Sequence, residues 1–168
     1  MTAPPIRIAD AVTSLLNAAE TANAFTLGGW TAERSYADWD ASFEDLSGLA
    51  VDVVFVSMGA ENSVALDSYE TMQSLCTIHV AVRKRFGVAD RNDNGRLINA
   101  SVDSLVNLVS EIGDHLAERR LSNTLPLETE VTWRDSEVVQ FVNQDLLRQG
   151  LFQGVVALRF GLSREMLV

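Results

Sequence analysis

The chain reads as an α+β protein: a mainly antiparallel, curved sheet of about five strands, one long helix packed on a face, and an N-terminal helix. Three observations predict this. Ile98, Val102, Leu105, Val109, Ile112 and Leu116 recur at alternating steps of four and three, with Leu108 widening the stripe, as on an amphipathic helix. Cys76, Ile78, Val80 and Val82 alternate with Thr77, His79, Ala81 and Arg83, the period of a half-buried strand. The strand-like runs follow one another with short links, which favours an antiparallel meander over helical crossovers.

The elements follow in order. After Pro4 and Pro5, well suited to a helix entrance, residues 6–25 place Ile8, Val12, Leu15, Leu16 and Ala19 on one face and predict a helix. Residues 25–37 then alternate, with Trp30, Ala32, Arg34 and Tyr36 on one side, and predict a strand bent at Gly28 and Gly29. Residues 38–48 are acidic with interleaved aromatics; Asp40 or Ser42 suits the cap of a short helical turn ended by Gly48. Residues 49–57, rich in Val, predict a central strand interrupted by Asp52 alone. Residues 58–71 are polar and predict a connection longer than most hairpin loops.

The alternating strand then spans residues 72–86, and a polar connector leads into the long helix. Ser101 is the expected N-cap, with Asp103 in the first turn and Arg119 and Arg120 in the last. Residues 127–134 predict a strand with Leu127, Val131 and Trp133 on one face. Residues 135–149 suit a short helix or an irregular connection. Residues 151–160 predict a closing strand, with Phe152, Val156, Leu158 and Phe160 on one side. All 168 residues are read as one domain, 1–168.

Composition narrows the function. A hydrophobic content of 47% suits a packed core, and mean hydropathy is +0.09. The formal net charge of −10, with a pI near 4.5, argues against sequence-independent binding to phosphate backbones, which needs clustered Lys and Arg. Cys76 is the single cysteine, so no internal disulfide can form, and a reducing compartment is expected. The first residues lack a basic start followed by an apolar run, so no signal peptide is expected, and no stretch suits a membrane span.

The search for chemistry yields little. Asp90, Asn92, Asn94 and Gly95 match the first positions of a calcium loop, but the twelfth position is Ser101 where a bidentate Glu is needed, and Arg91 and Arg96 add positive charge. A polar turn is the simpler reading. There is no nucleophile elbow and no phosphate loop, and His79 and His115 lack metal-ligand spacing. Cys76 falls on an inward strand face. Trp30, Trp39 and Trp133 suit core or interface more than a ligand cage. No catalytic, cofactor or metal residue is expected, and the chain reads as a non-enzyme.

Six segments taken together resemble a family: Arg34–Tyr36, Leu46–Leu49, Val51–Val54, Thr77–Lys84, Leu105–Ile112 and Leu151–Phe160. Their pattern is similar to that of the tail terminator, or tail completion, proteins of tailed bacteriophages. The resemblance covers most of the chain and implies a virion structural protein. Its family forms homo-oligomeric rings, usually hexamers, that cap the tail tube at its head-proximal end and join tail to head. It implies as partners further copies of the chain, the major tail tube protein and the head–tail connector protein, with DNA passing through without specific binding and no membrane involved. It places the protein in the virion tail after assembly in the host bacterial cytoplasm. Another head–tail connector, head-completion or baseplate component has a similar pattern, and a cytosolic small-ligand-binding or regulatory protein is the alternative of a different class. The surfaces expected to meet other subunits are the acidic segment with Asp38, Asp40, Glu44 and Asp45, and the 58–71 connection with Glu61, Asp67 and Tyr69.

Overall fold

A computed structural model describes residues 3–36, 46, 48–66, 69–117 and 129–165, with the backbone alone for 60–66, 69–73, 129–130, 132 and 163–165. Helix α1 spans Pro4–Thr21, with both prolines in the first turn, where a missing N–H leaves no bond unmade. Ile8, Val12 and Leu16 line its buried face. The helix stops short of the expected residue 25 because Asn23 turns into the left-handed region at φ 56°. Strand β1 is only Ala32–Ser35. Asn17 of α1 holds it by both ends of one amide: Oδ1 accepts from Ala32 N at 2.7 Å, and Nδ2 donates to Ala32 O at 3.0 Å.

Strands β2 (Leu49–Leu66) and β3 (Tyr69–Arg85) form a long antiparallel hairpin. This corrects the expected loop over 58–71. The ladder runs unbroken in direction from Leu49↔Lys84 through Met58↔Cys76 to Leu66↔Tyr69. Backbone N–H and C=O groups pair whatever side chains they carry. The apolar alternation fades here because the buried partners of the helices lie nearer the base, at Val51 and Val53 on β2 and Cys76 to Val82 on β3.

After β3 a single 3-10 turn, Val88–Asp90, leads to α2, Asn99–Leu116. Ile98, not Ser101, is the N-cap, and it is 38% exposed rather than part of the core stripe. The Ser101 hydroxyl instead bonds the Asp90 carboxylate across the loop. Leu105, Leu108, Val109, Ile112 and Leu116 are buried as expected. Arg119 and Arg120 lie outside the described residues.

Strand β4 spans Thr129–Gln140, helix α3 Gln144–Arg148 and strand β5 Leu151–Glu165. The sheet order is β1-β2-β3-β5-β4, with β1 parallel to β2 and every other pair antiparallel. The sheet is therefore mainly antiparallel but not a meander, since β5 is inserted between β3 and β4. Its buried residues on both faces (Phe152, Val156 and Leu158 against Val155 and Ala157) suit a strand with neighbours on each side. Residues 135–140 continue β4 because bulges at Arg134 and Val139 reset the alternation twice.

Both long helices cover one face. Helix α1 packs on β1 and β2, and α2 packs on β5, β4 and β3, enclosing one core. Gly154 of β5 sets how closely α2 approaches. A Cβ there would fall well inside contact distance of Val109 Cγ2 and 3.0 Å from the Phe141 carbonyl oxygen.

Candidate functional site

The chemistry-bearing residues are absorbed by structure. Cys76 is fully buried on the helix-covered face, and burial pushes its thiol up to about 11, away from the nucleophilic thiolate. Trp30 is buried against Phe25, ring centroids 5.2 Å apart, and donates to Leu27 O at 2.7 Å. Trp133 packs against the core from β4, at the other edge of the sheet from β1. Those two rings form no common cage; Trp39 lies outside the described residues. His115 meets the Phe25 ring edge-on at 5.3 Å. Among the described residues, no three His, Cys, Asp or Glu are grouped to hold a metal ion.

Two side chains of the calcium-like loop, Asp90 and Asn92, have oxygens engaged internally. The Asp90 carboxylate accepts from Lys84 Nζ and from Gly87 N, each at 3.0 Å. Burial raises its pKa, but the Gly87 N–H, Lys84 and Ser101 outweigh that and hold the carboxyl below its usual range. Asn92 Oδ1 accepts from the backbone N–H groups of Asn94 and Arg96, each at 3.0 Å. The loop is an Asx-type turn that sets α2 against the end of β3.

The sheet face away from the helices carries charged pairs among buried apolar residues, Val54, Ala81, Val155 and Ala157. Arg83 donates through Nε and Nη2 to Asp52 Oδ2, at 2.9 and 2.7 Å, with side-chain exposures of 8% and 14%. This gives a reason for the one acid in the Val-rich run: β2 and β3 bring it diagonally opposite an arginine. On the same face Arg159 donates to Asp135 at 2.9 Å and to Glu137 at 3.2 Å, and Glu137 and then Asp135 hold its proton more firmly than usual. His79 lies beside this network. Desolvation, and then repulsion from Arg159, lower its pKa, favouring the neutral ring. The basic run Arg83–Arg85 is largely spent internally: Arg83 meets Asp52 and Lys84 meets Asp90, while Arg85 is exposed.

The assembly residues expected from sequence divide in two. Asp38, Asp40, Glu44, Asp45 and Asp67 lie outside the described residues. Glu61 and Tyr69 are placed on the distal part of the β2–β3 hairpin, Glu61 opposite Gln73 and Tyr69 opposite Leu66. This distal part, hereafter the arm, has a free edge. Strand β1 pairs β2 only over Val51–Val54, so among the described residues β2 has no strand on that side from Phe55 to Leu66. Among the described residues, β4 forms the other edge of the sheet.

Sequence reasoning missed the apolar side chains on these edges. Tyr36, Val56 and Met58 are 64%, 46% and 50% exposed at the β1–β2 edge, and Val139 and Phe141 are 55% and 47% exposed at the β4 edge. Val56 and Val139 are each the extra residue of a β-bulge. The available signal was two adjacent apolar residues breaking the alternation, Phe55–Val56 and Val138–Val139. No family model matches the chain, and no curated protein matches it either.

Proposed function

We propose that the protein is a virion structural subunit, a tail terminator that assembles with further copies of itself into a ring at the head-proximal end of a phage tail. The observation that carries this reading is a helix-backed sheet with two different edges, β1–β2 and β4, that lack a further strand among the described residues, each bearing exposed apolar side chains. A closed ring of identical subunits needs two unlike surfaces that meet head to tail. The absorption of Cys76, Asp90 and Asn92 into the fold supports an assembly role over a chemical one. In this role the ring stops growth of the tube, meets the major tail tube protein on one side and the head–tail connector protein on the other, and lets DNA pass without holding it. The charge supports that passage. The chain is net −10, and Arg83 and Lys84 are paired with Asp52 and Asp90, so a wall built from this chain binds phosphates weakly.

Electron microscopy of the protein mixed with assembled tails tests the proposal. The expected result is a ring of density at the head-proximal tip, with a lumen that is not basic. A stable dimer that ignores tails, or a lumen lined by Arg83, Lys84 and Arg85, contradicts it.

A further inference from the structure

We infer that Asn94–Gly95 is a modification site, where the Asn94 amide converts spontaneously to aspartate or isoaspartate, and that Asn92 is its brake. The site stands apart from the surfaces of the ring reading above. The Gly95 nitrogen attacks Asn94 Cγ, the bond from Cγ to Nδ2 breaks, and Nδ2 leaves as ammonia carrying, by way of water, the proton that Gly95 gave up. A succinimide ring remains. Water then adds to either ring carbonyl and opens it, giving aspartate or, with the main chain rerouted through Cγ, isoaspartate.

Sequence and exposure select this position. Asn94 is the one asparagine followed by Gly; the others precede Ala, Ser, Asp, Leu, Thr or Gln. Without a Cβ, glycine leaves its amide nitrogen open to approach and its backbone free to turn. Asn92 to Arg96 are all exposed, so water reaches both the ring and the leaving group.

The fold sets the rate through Asn92. Its carbonyl accepts from Gly95 N at 2.8 Å, its N–H donates to Arg96 O at 2.9 Å, and its Oδ1 accepts from Asn94 N and Arg96 N at 3.0 Å each. Gly95 completes the turn at φ 73°, a left-handed backbone that glycine adopts without strain. Ring closure requires the Gly95 N–H to leave the Asn92 carbonyl, because that nitrogen must shed the proton it donates and swing to Cγ. Such opening is local. The turn hangs beyond the Arg91↔Leu97 bridge and the bond from Ile98 N to Asp90 O at 2.9 Å, and Asp90 is itself held by Lys84 and Gly87. Residues 92–96 contribute nothing to the core, so the turn opens without unseating α2. The product is felt locally: a carboxylate arises between Arg91 and Arg96, and Arg91 already donates through Nη1 to Gly95 O at 2.9 Å. Isoaspartate also lengthens the main chain inside the turn and so disturbs the Asn92 pairs.

The test incubates the full folded chain in heavy-oxygen water at neutral pH, well below its melting temperature. Mass spectrometry of its fragments then locates each acid that carries heavy oxygen, which marks conversion before digestion. The expected result is label at Asn94 ahead of every other asparagine, accumulating at least several-fold faster in Asn92→Ala. Asn92→Asp retains an acceptor for the Asn94 and Arg96 N–H groups and should stay near the unaltered rate; melting curves check that both variants are folded. Label that appears first at another asparagine, label at Asn94 only after unfolding in urea, or an Asn92→Ala rate equal to that of the unaltered chain overturns the inference.

Discussion

The base and the arm of the β2–β3 hairpin are built from the same two strands and held by one ladder, yet they differ in what their side chains do. At the base, Val51, Val53, Val80 and Val82 are at most 1% exposed, beneath α1 and α2. At the start of the arm, Val56 and Met58 are about half exposed, and from Gly59 to Ser63 the sequence turns to Gly, Ala, Glu, Asn and Ser. Burial of apolar area stabilises the base by roughly 1.5–3 kcal/mol per large side chain. On β2, Val56 and Met58 have backbone neighbours on β3 and little of that, while Cys76 and Ile78 across the ladder remain buried. The difference teaches that the buried core is lodged in one half of the hairpin; if the proposed ring uses the other half, substitutions should separate fold stability from assembly.

The largest effect is expected at the base. Val109→Asp buries a carboxylate between α2 and β5 and should cost several kcal/mol, whereas Ser110→Asp, one step round the helix, should be mild. Denaturant unfolding measures both, and equal stability of the two would mean that α2 presents another face. Next comes the pair on the opposite face. Arg83→Met strands the Asp52 carboxylate and should cost about 3 kcal/mol, with much of that recovered when Asp52→Leu is added. A double-mutant cycle reads the coupling. Gly154→Ala drives a methyl into Val109 and should cost about 1–3 kcal/mol, and Val109→Ala should relieve part of it.

Smaller still is the connector. The folded-state pKa of Asp90 is depressed, so its contribution is present above the unfolded carboxylate pKa and is lost as pH falls through the folded value. Asp90→Asn should therefore lower stability at neutral pH and lessen its fall below about pH 4, the ordinary aspartate range. Thermal melts of both proteins from pH 7 to pH 3 check this. Parallel curves at all pH values would remove Asp90 from the account.

The base was readable in the sequence and the arm was not, for one physical reason. Periodicity reports burial on one face, so Cys76 to Val82 and the Leu105–Leu116 stripe announced their strand and helix. Residues 58–66 are in a strand by backbone pairing, which composition does not report. Bulges hid the second half of β4 in the same way, because Arg134 and Val139 shift the phase of the alternation. The parallel seat of β1 was invisible as well, since it depends on Asn17 gripping Ala32 across 15 residues. The place of β5 was partly legible in Val155–Leu158, apolar on both faces. Of the exposed apolar residues at the sheet edges, Val56 and Val139 were passed over, because each is the extra residue of a bulge.

The most direct test of the separation between fold and assembly is the arm variant Val56→Asp with Met58→Asp, measured twice. Both side chains are about half exposed, so the melting temperature should shift by no more than corresponds to about 1 kcal/mol. Under the electron microscope, tails mixed with this variant should keep bare head-proximal tips where the unmodified protein caps them. A variant that melts normally and still caps tails, or one that loses as much stability as Val109→Asp, would contradict the account.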